Sequence, residues 1–455
     1  MTKDNKFGHF DGSFKLLFEL CKSITDCSHS TPKWTTKGKL VIRNFNIKKG
    51  RLLLNDLHYT DEKTYLERIK RSKPKSGDLI ITREAPMGEV CMIPDDINCC
   101  LGQRMVLLKP NENKIDNKYL LYAIQSDFVQ KQIQQSNKTG SIVSNLRIPV
   151  LENLLIPTFK QNIEKKIGQV LFNLDSKIEL NNRINAELEQ MAKTIYDYWF
   201  VQFDFPISAA YAASVGQPEV EGKPYKSSGG KMVWSEELKR EVPEGWEVKK
   251  LHQIVSVKKD ILQTNNLFSD TAYIGLEHIP RKSFNLSTWE IVNKIDSAKF
   301  KFEKHDILFG KIRPYFHKVG ICLTSGITSV DCIVLRAKNK EYKGLILQTV
   351  FSDEFVDVAT NSSTGSKMPR ADWNILKDYF VINPNNDLLI KFNNFSNDIF
   401  DTMGNLVFEN QKLTELRNWL LPMLMNGQVR VGDGEDEEMM GMEAEAVGEY
   451  KVRVE

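Results

Sequence analysis

The sequence lacks the segments that would place the chain in a membrane or in an oxidising compartment. No apolar run approaches the roughly 20 residues needed to cross a bilayer, and only 41% of the 455 residues are hydrophobic. The seven cysteines are odd in number, irregularly spaced and never arranged as Cys-x-x-Cys. Met1 is followed by polar residues rather than by an apolar signal segment. We therefore predict a cytoplasmic protein with reduced thiols and no membrane partner.

The common signatures of a catalytic chain are also missing. The sequence contains no GxxxxGK[ST] loop, which argues against a phosphate-cradling NTPase, and no GxGxxG dinucleotide turn. It lacks the Asn-Pro-Pro-aromatic motif of adenine methyltransferases, since Asn383-Pro384-Asn385 has neither the second proline nor the aromatic residue. The seven histidines follow no catalytic-triad pattern. These absences predict a chain without catalytic residues of its own.

Two weaker patterns raise metal chemistry as an alternative. Pro94-Asp95 followed by Glu112-Asn113-Lys114 has the residue order of a metal-dependent nuclease core, but the second half of the chain has no counterpart. Five residues are of metal-ligand type without ligand spacing: Cys21, Cys27, His29, Cys99 and Cys100. We expect a solvated loop in the first case, buried thiols in the second, and no metal bound by this chain.

Charge is nearly balanced overall but unevenly placed. Lys plus Arg number 62 and Asp plus Glu number 59, for a net charge of +3. Residues 430–455 carry nine acids and three bases, a net −6, which leaves +9 on residues 1–429. A basic body is typical of proteins with a polyanionic partner. We predict that the acidic segment, residues 428–455, is a disordered tail.

The sequence contains an internal repeat with an offset of about 225 residues. Thr139-Gly140-Ser141 recurs as Thr364-Gly365-Ser366, and the apolar trio 154–156 recurs at 379–381. Further on, Asn185 and Leu188 recur as Asn410 and Leu413. Residues 28–60 and 256–300 share no pattern that we can find. A common frame with a divergent front indicates two domains that share a scaffold and differ in their binding surfaces.

A long helix with a heptad stripe is predicted to close each copy, at residues 159–205 and 387–427. If an approximate two-fold axis relates the copies, the two helices run antiparallel and can bury each other. Asn181 would then lie in the seam and fix its register. The predicted packing positions are Ile167, Leu174, Ile178, Leu188, Ile195, Ile399, Leu406, Leu413 and Leu420, with Leu416 on a second stripe.

The remaining segments alternate short apolar strands with helices near 119–135 and 343–360, which predicts an α/β class. Residues 206–242 are rich in Gly, Pro and Ser and are predicted to form a linker. The predicted organisation is a first globular domain at 1–158 and a second at 243–386, each followed by its helix.

Positive and planar side chains collect in the divergent fronts and beside the repeated turns. Taken alone, each basic run is typical of a solvated surface. Their placement in the variable parts of a duplicated frame favours DNA, with Lys and Arg on phosphates and Arg or Asn on base edges. The predicted DNA-binding residues are Lys33, Trp34, Arg43, Asn44, Lys48, Lys73, Lys75, Arg83, Lys258, Lys259, Arg281, Lys311, Arg313, Tyr315, Lys318, Lys367 and Arg370.

The sequence resembles the specificity subunits of bacterial type I restriction-modification systems over nearly its whole length. The resemblance lies in the helix at 172–200, the 223–230 segment, Pro243-Glu244-Gly245-Trp246 and the repeated Thr-Gly-Ser. It implies two target recognition domains, separated by two antiparallel helices that form a coiled-coil spacer. Each domain would read one half of a split site in double-stranded DNA.

The resemblance also implies that chemistry belongs to partner chains. AdoMet would be bound by two modification (methyltransferase) subunits, and ATP and Mg²⁺ by partner subunits that include the restriction (translocase and nuclease) subunits. Two other classes stay open at this stage. One is a stand-alone restriction enzyme or methyltransferase-like protein, and the other is a coiled-coil scaffold that does not read sequence.

Overall fold

The computed structural model describes residues 12–54, 56–136, 145–262, 270–295, 297–429 and 431. The chain divides into two compact units, which we call unit 1 (Met1–Ile178 with Lys412–Glu455) and unit 2 (Glu179–Gln411). Each of the two long helices therefore contributes one part to each unit. The first Thr-Gly-Ser turn and most of the acidic tail lie outside the described residues.

Among the described residues, unit 1 and the long helix that leaves it contain twelve strands and six α-helices. The strands are β1 (Ser13–Leu16), β2 (Cys21–Asp26), β3 (Trp34–Thr35), β4 (Lys39–Ile42), β5 (Ile47–Lys48), β6 (Arg51–Leu52), β7 (His58–Thr60), β8 (Leu79–Thr82), β9 (Val90–Met92), β10 (Cys99–Leu101), β11 (Met105–Pro110) and β12 (Leu155–Thr158). The helices are α1 (Leu17–Leu20), α2 (Glu62–Ile69), α3 (Asn117–Gln125), α4 (Asp127–Ser136), α5 (Ile148–Glu152) and α6 (Gln161–Tyr196).

The core of unit 1 is built on an antiparallel sheet with the order β2-β11-β8-β9. All four residues of β8 are buried, as its uninterrupted apolar sequence predicts for a central strand. A second sheet, β10-β4-β7-β3, contains the parallel pair β4 and β10. The apolar side chains of α3 and the start of α6 complete the larger core cluster.

Unit 2 and the second long helix contain the remaining elements. The strands are β13 (Met232–Ser235), β14 (Arg240–Pro243), β15 (Glu247–Lys250), β16 (Val255–Lys258), β17 (Ile261–Leu262), β18 (Thr271–Ile274), β19 (Glu290–Val292), β20 (Lys299–Phe302), β21 (Ile307–Gly310), β22 (Val319–Ile321), β23 (Gly326–Ser329), β24 (Cys332–Ala337) and β25 (Phe380–Asn383). The helices are α7 (Ala209–Ser214), α8 (Leu251–Ile254), α9 (Lys343–Phe351), α10 (Asp353–Asn361), α11 (Trp373–Leu376) and α12 (Asn386–Met425).

The duplication seen in the sequence is present in the topology. The sheet β16-β24-β21-β22 repeats the order of β2-β11-β8-β9, and the pair β15-β25 repeats β1-β12. The mixed α/β fold with two repeated globular parts and two long helices is therefore confirmed.

The divergent fronts are more alike than their residues indicate. In unit 2, β18 pairs in parallel with β23 and antiparallel with β19. In unit 1, β4 makes the same two pairings with β10 and β7. The two fronts therefore share strand pairing without a shared sequence pattern, because strand pairing is fixed by backbone hydrogen bonds that many side chains permit.

Each of the two predicted domain helices is broken into two. Ser126 separates α3 from α4, and Ser352 separates α9 from α10, with extended ψ values of 148° and 147°. The Ser352 side chain accepts a hydrogen bond from the backbone N–H of Phe355, so it caps the new helix. Ser126-Asp127 and Ser352-Asp353, which recur in the sequence at an offset of 226 residues, are therefore helix caps.

Residues 206–242 are folded, which differs from the predicted linker. Phe205, Ile207, Ala212 and Tyr225 are all buried in the main core of unit 2. The Phe205 ring stacks on Tyr225 at 4.7 Å between centroids and on Trp246 at 4.9 Å. Small residues set the composition of this segment, but a few aromatic anchors supply enough apolar area to order it.

The long helices pack against each other inside each unit. In unit 2, Asn181 pairs with Asn410 while Tyr196, further along α6, contacts Phe392, near the start of α12, so the two helices are antiparallel there. In unit 1, Ile167 and Leu171 share a core cluster with Leu424 and Met425. The two helices are therefore antiparallel in unit 1 as well.

The predicted seam positions are only partly buried on both long helices. Of the predicted positions, Ile167, Ile178 and Ile399 are buried, whereas Leu174, Leu188, Ile195, Leu406, Leu413 and Leu420 are half-buried. Met403 and Val407 carry the buried face of α12, and Leu416 is 43% exposed. The face is rotated because α12 also packs on its own globular domain, where Gly344 approaches Ser396.

Candidate DNA-binding surfaces

Seven of the predicted DNA-binding residues surround one hairpin loop of unit 2. The loop at 311–318 joins β21 to β22. It carries Lys311, Arg313, Tyr315 and Lys318, and the segment at 367–370 contributes Lys367 and Arg370. Arg281 lies against the same loop.

A neighbouring turn fixes the conformation of this hairpin loop. The backbone N–H of Arg313 donates to the carbonyl of Pro369 at 2.7 Å, and its guanidinium donates to the carbonyl of Lys367 at 3.3 Å. Thr364 and Arg370 exchange two backbone hydrogen bonds, and Gly365 has a φ of +103°. The Thr-Gly-Ser turn of this unit therefore supports the loop, and its glycine is needed for that geometry.

The hairpin loop presents aromatic and cationic groups together. Tyr315 is 51% exposed and its ring lies 4.8 Å from that of Phe316. The guanidinium of Arg281 lies 3.9 Å from the centre of the Phe316 ring, and that of Arg313 lies at 6.0 Å. Burial and the positive charge of Arg281 lower the pKa of Lys318. Arg281 and Arg313 thus place two cationic groups beside the Phe316 ring, a chemistry suited to a polyanion partner.

The predicted residues Lys258 and Lys259 lie elsewhere in unit 2. Lys258 ends β16, which forms the opposite edge of the four-stranded sheet from β22. Lys259 follows it and is exposed. The structure does not bring these two lysines to the hairpin loop.

In unit 1, the predicted residues collect around two short segments. Lys33 is exposed and pairs with Asp61 at 3.1 Å, and Trp34 is 43% exposed. The side chain of Arg43 donates to Asp56 at 2.7 Å. The residue between Asn44 and Asn46 is Phe45, and 70% of its surface is exposed.

Two of the predicted residues in unit 1 are held by internal contacts. Asn44 is buried, and its side-chain Nδ2 donates to the carbonyl of Ala85 at 2.7 Å. The Arg83 guanidinium donates to Asp26 at 2.7 Å and to the carbonyl of Leu146 at 3.0 Å. In this structure both side chains stabilise the loop that corresponds to the hairpin loop of unit 2.

The remaining predicted residues of unit 1 are exposed lysines. Lys48 ends β5, and Lys73 and Lys75 lie in the segment before β8. Only the backbone of the last two is engaged: the Lys73 carbonyl accepts from Lys109 at 2.8 Å, and the Lys75 N–H donates to Asp78 at 2.9 Å. Their side chains are therefore available to solvent.

The alternative metal sites do not assemble among the described residues. Asp95 binds Ser76 and Glu112 contacts Lys22, whereas Lys114 donates to the carbonyl of Glu19. Within the same described residues, no cluster of three or more potential ligands could hold a metal ion. Burial raises the pKa of the thiols of Cys21 and Cys99 to about 12, so they are protonated near neutral pH. For the described residues, we find no helix of sufficient length and hydrophobicity to span a bilayer.

Comparisons with known proteins agree on one assignment. A family model described as "Type I restriction modification DNA specificity domain" matches residues 28–190. The chain is 23% identical over 386 residues to the type I restriction enzyme MjaIX specificity subunit of Methanocaldococcus jannaschii, covering 81% of each chain. It is also 23% identical over 415 residues to the HindI specificity subunit of Haemophilus influenzae, covering 78% of this chain and 87% of that one. The chain is therefore similar to type I specificity subunits over about four-fifths of its length.

The fold agrees with that assignment. The crystal structure of the S subunit from M. genitalium matches with a TM-score of 0.54 at 14% identity, covering 93% of this chain and 98% of that one. At this level of identity the likeness shows a shared fold.

Sequence reasoning missed two aromatic residues at the candidate surfaces of this chain. Phe45 was not selected because a lone phenylalanine between two asparagines is indistinguishable from a core residue until its exposure is known. Phe316 was passed over in favour of Tyr315, its neighbour. The signal that could have found both is an aromatic residue next to a cation in a short loop.

Proposed function

We propose that this chain is a specificity subunit that binds a bipartite site in double-stranded DNA, with one half read by each unit. The observation that carries the proposal is that two units with one topology present different exposed chemistry. Unit 2 presents the cationic and aromatic hairpin loop, and the corresponding loop of unit 1 carries Ala85, Pro86 and Met87. A shared scaffold with unlike surfaces is suited to reading two unlike sequences.

The exposed members of the predicted set are the proposed DNA contacts. In unit 1 these are Lys33, Trp34, Lys48, Lys73 and Lys75, together with the exposed Phe45. In unit 2 they are Arg281, Tyr315, Lys367 and Arg370, with the half-buried Lys311 and Arg313 of the hairpin loop beside them. Lys318 is half-buried and donates to the carbonyl of Leu276. Exposed lysines would contact phosphates, because an ammonium group binds them as a point charge.

The paired helices would set the distance between the two half-sites. Helix α6 has 36 residues, which at about 1.5 Å per residue span roughly 54 Å. At about 3.4 Å per base pair, the half-site centres would lie at most on the order of 16 base pairs apart. Some base pairs between the halves would then not be read at all.

The reaction chemistry would reside on partner subunits in the cytoplasm. We propose two modification subunits that supply AdoMet-dependent methylation, and restriction subunits that supply translocation and cleavage. AdoMet, ATP and Mg²⁺ would be bound by those partners. The support is the similarity of the chain to specificity subunits together with its lack of nucleotide-binding motifs.

The proposal is tested by long-read methylation sequencing of a host that expresses this subunit with its modification partner. The expected result is one methylated motif of two short halves with an unread gap. Replacing residues 1–150 with those of another family member should change one half and leave the other. If both halves change together, independent reading by the two units is wrong.

The spacer is tested by removing four residues from each long helix. Four residues at about 1.5 Å each shorten the helix pair by roughly 6 Å, or one to two base pairs. The gap in the methylated motif should shrink by that amount with both halves unchanged. A changed half-site would contradict the spacer role, and methylation or cleavage by the purified chain alone would favour a stand-alone enzyme.

A further inference from the structure

Arg281 belongs to a rigidly held segment of unit 2. Glu189 of α6 accepts a hydrogen bond from the Ser283 hydroxyl and one from the Phe284 backbone N–H, both at 2.7 Å. The backbone N–H of Lys282 donates to the carbonyl of His317, at the end of the hairpin loop. The backbone on the C-terminal side of Arg281 is thus fixed both to the long helix and to the hairpin loop.

The fold orients the guanidinium of Arg281 without engaging its hydrogen-bond donors. It lies over the Phe316 ring at 3.9 Å, and the residue is exposed. Among the described residues it makes no hydrogen bond or ion pair. Arg83 and Arg336, by contrast, donate to Asp26 and Asp306 at 2.7 Å. Arg281 is therefore a planar donor group, stacked on a ring, with its edge available.

Such a group matches one DNA base better than the others. The guanidinium donates two parallel hydrogen bonds, and guanine presents two acceptors, O6 and N7, in the major groove. Stacking on Phe316 holds the side chain in place before DNA arrives, so little conformational entropy is lost on binding. We propose that Arg281 reads a guanine in the half-site bound by unit 2 and that Phe316 positions it. This inference rests on the proposed function.

Unit 1 offers a matched comparison at Lys48. Lys49 and Lys282 have similar positive φ values, 49° and 54°. The N–H of Lys49 donates to the side-chain carboxylate of Glu89, at the end of the corresponding loop in unit 1, whereas that of Lys282 donates to the backbone carbonyl of His317. Lys48 is thus an exposed cation at a similar place in unit 1 and serves as a comparison for Arg281. The loop of unit 1 that joins β8 to β9 has Met87 and Gly88 and no aromatic ring. Lys48 therefore has no ring to stack on, and it is a point charge suited to a phosphate.

The test is competitive binding by the complex of this subunit with its modification subunits. The DNA duplexes would carry the sequence of the motif found by methylation sequencing, with each base pair of the unit 2 half-site changed in turn. Arg281→Lys keeps the charge and removes the planar donor group. It should lower discrimination at one G·C pair by about 10- to 100-fold while leaving the unit 1 half-site unchanged. Phe316→Leu should weaken discrimination at the same position and no other.

Lys48→Ala is the control. It should weaken binding to all duplexes equally and reduce the slope of log affinity against log salt by about one. Equal thermal unfolding of all variants shows that they are folded. The inference is overturned if Arg281→Lys keeps full discrimination, or if it weakens every duplex equally as Lys48→Ala does. Failure of the unaltered complex to prefer any sequence would instead overturn the proposed function.

Discussion

Asp175 is predicted to be the residue that docks the end of α12 onto unit 1. Its buried carboxylate accepts hydrogen bonds from Arg51 at 2.7 Å, from Tyr122 at 2.8 Å and from Arg417 at 2.9 Å. These donors lie on β6, α3 and α12, so one carboxylate on α6 joins three other elements. Burial, followed by the nearby Asp175, raises the pKa of Tyr122, which keeps its hydroxyl protonated as a donor.

Asp175→Asn should be strongly destabilising. The carboxamide has the same shape but no charge, so two guanidinium groups would be left side by side. The arginine side chains are only 20% and 16% exposed, and breaking a buried ion pair costs about 3–5 kcal/mol. For a unit of roughly 200 residues, each kcal/mol lowers Tm by about 2–4 °C. We expect the unfolding transition of unit 1 to fall by about 6–20 °C in calorimetry.

The control is Glu179→Gln, because Glu179 is an exposed acid on the same helix. It should shift Tm by no more than about 2 °C, the typical effect of losing one surface charge. A loss of less than about 1 kcal/mol for Asp175→Asn would refute the reasoning. It would mean that water or a rearranged Arg417 compensates for the lost charge.

Three further predictions concern other parts of the chain. Asn181→Ala removes hydrogen bonds to Glu409 and Asn410 in the seam and should cost about 2–4 kcal/mol in chemical unfolding, against under about 1 kcal/mol for Glu187→Ala at an exposed position of the same helix. Gly365→Ala places a side chain at a φ of +103°; it should cost about 1–2 kcal/mol, and because this turn supports the hairpin loop, it should weaken binding through the unit 2 half-site alone. Burial and nearby lysines lower the pKa of His305 to about 4, so the folded state favours the neutral ring. The contribution of His305 to the free energy of unfolding is complete above the pKa of the unfolded chain, near 6.5, and is lost as the pH falls towards the folded pKa of about 4. Between pH 7 and pH 5 the loss should be about 2 kcal/mol, and it should be absent in His305→Gln when unfolding is measured across that range.

Repeats and periodicity in the sequence predict the duplication, the α/β class and the pair of long helices. The Thr-Gly-Ser turns and the apolar trios recur at a constant offset, and this repeat can be recognised from the sequence without any structure. The stripe on α6 follows from helical periodicity, because one face must be buried along its whole length. Ser126 and Ser352 show the limit of such reasoning. Their repetition was visible, but propensity could not distinguish a continued helix from a capped break.

Which charged side chains form internal ion pairs, and which are exposed, depends on the tertiary structure. Arg83 and Arg281 are the same residue type, and the sequence predicts both as DNA-binding residues. The first is consumed by Asp26, 57 residues away, and the second rests on Phe316, 35 residues away. The rotated face of α12 and the ordered segment 206–242 have the same origin. Partners distant in sequence decide burial and pairing, and the local pattern holds no information about them.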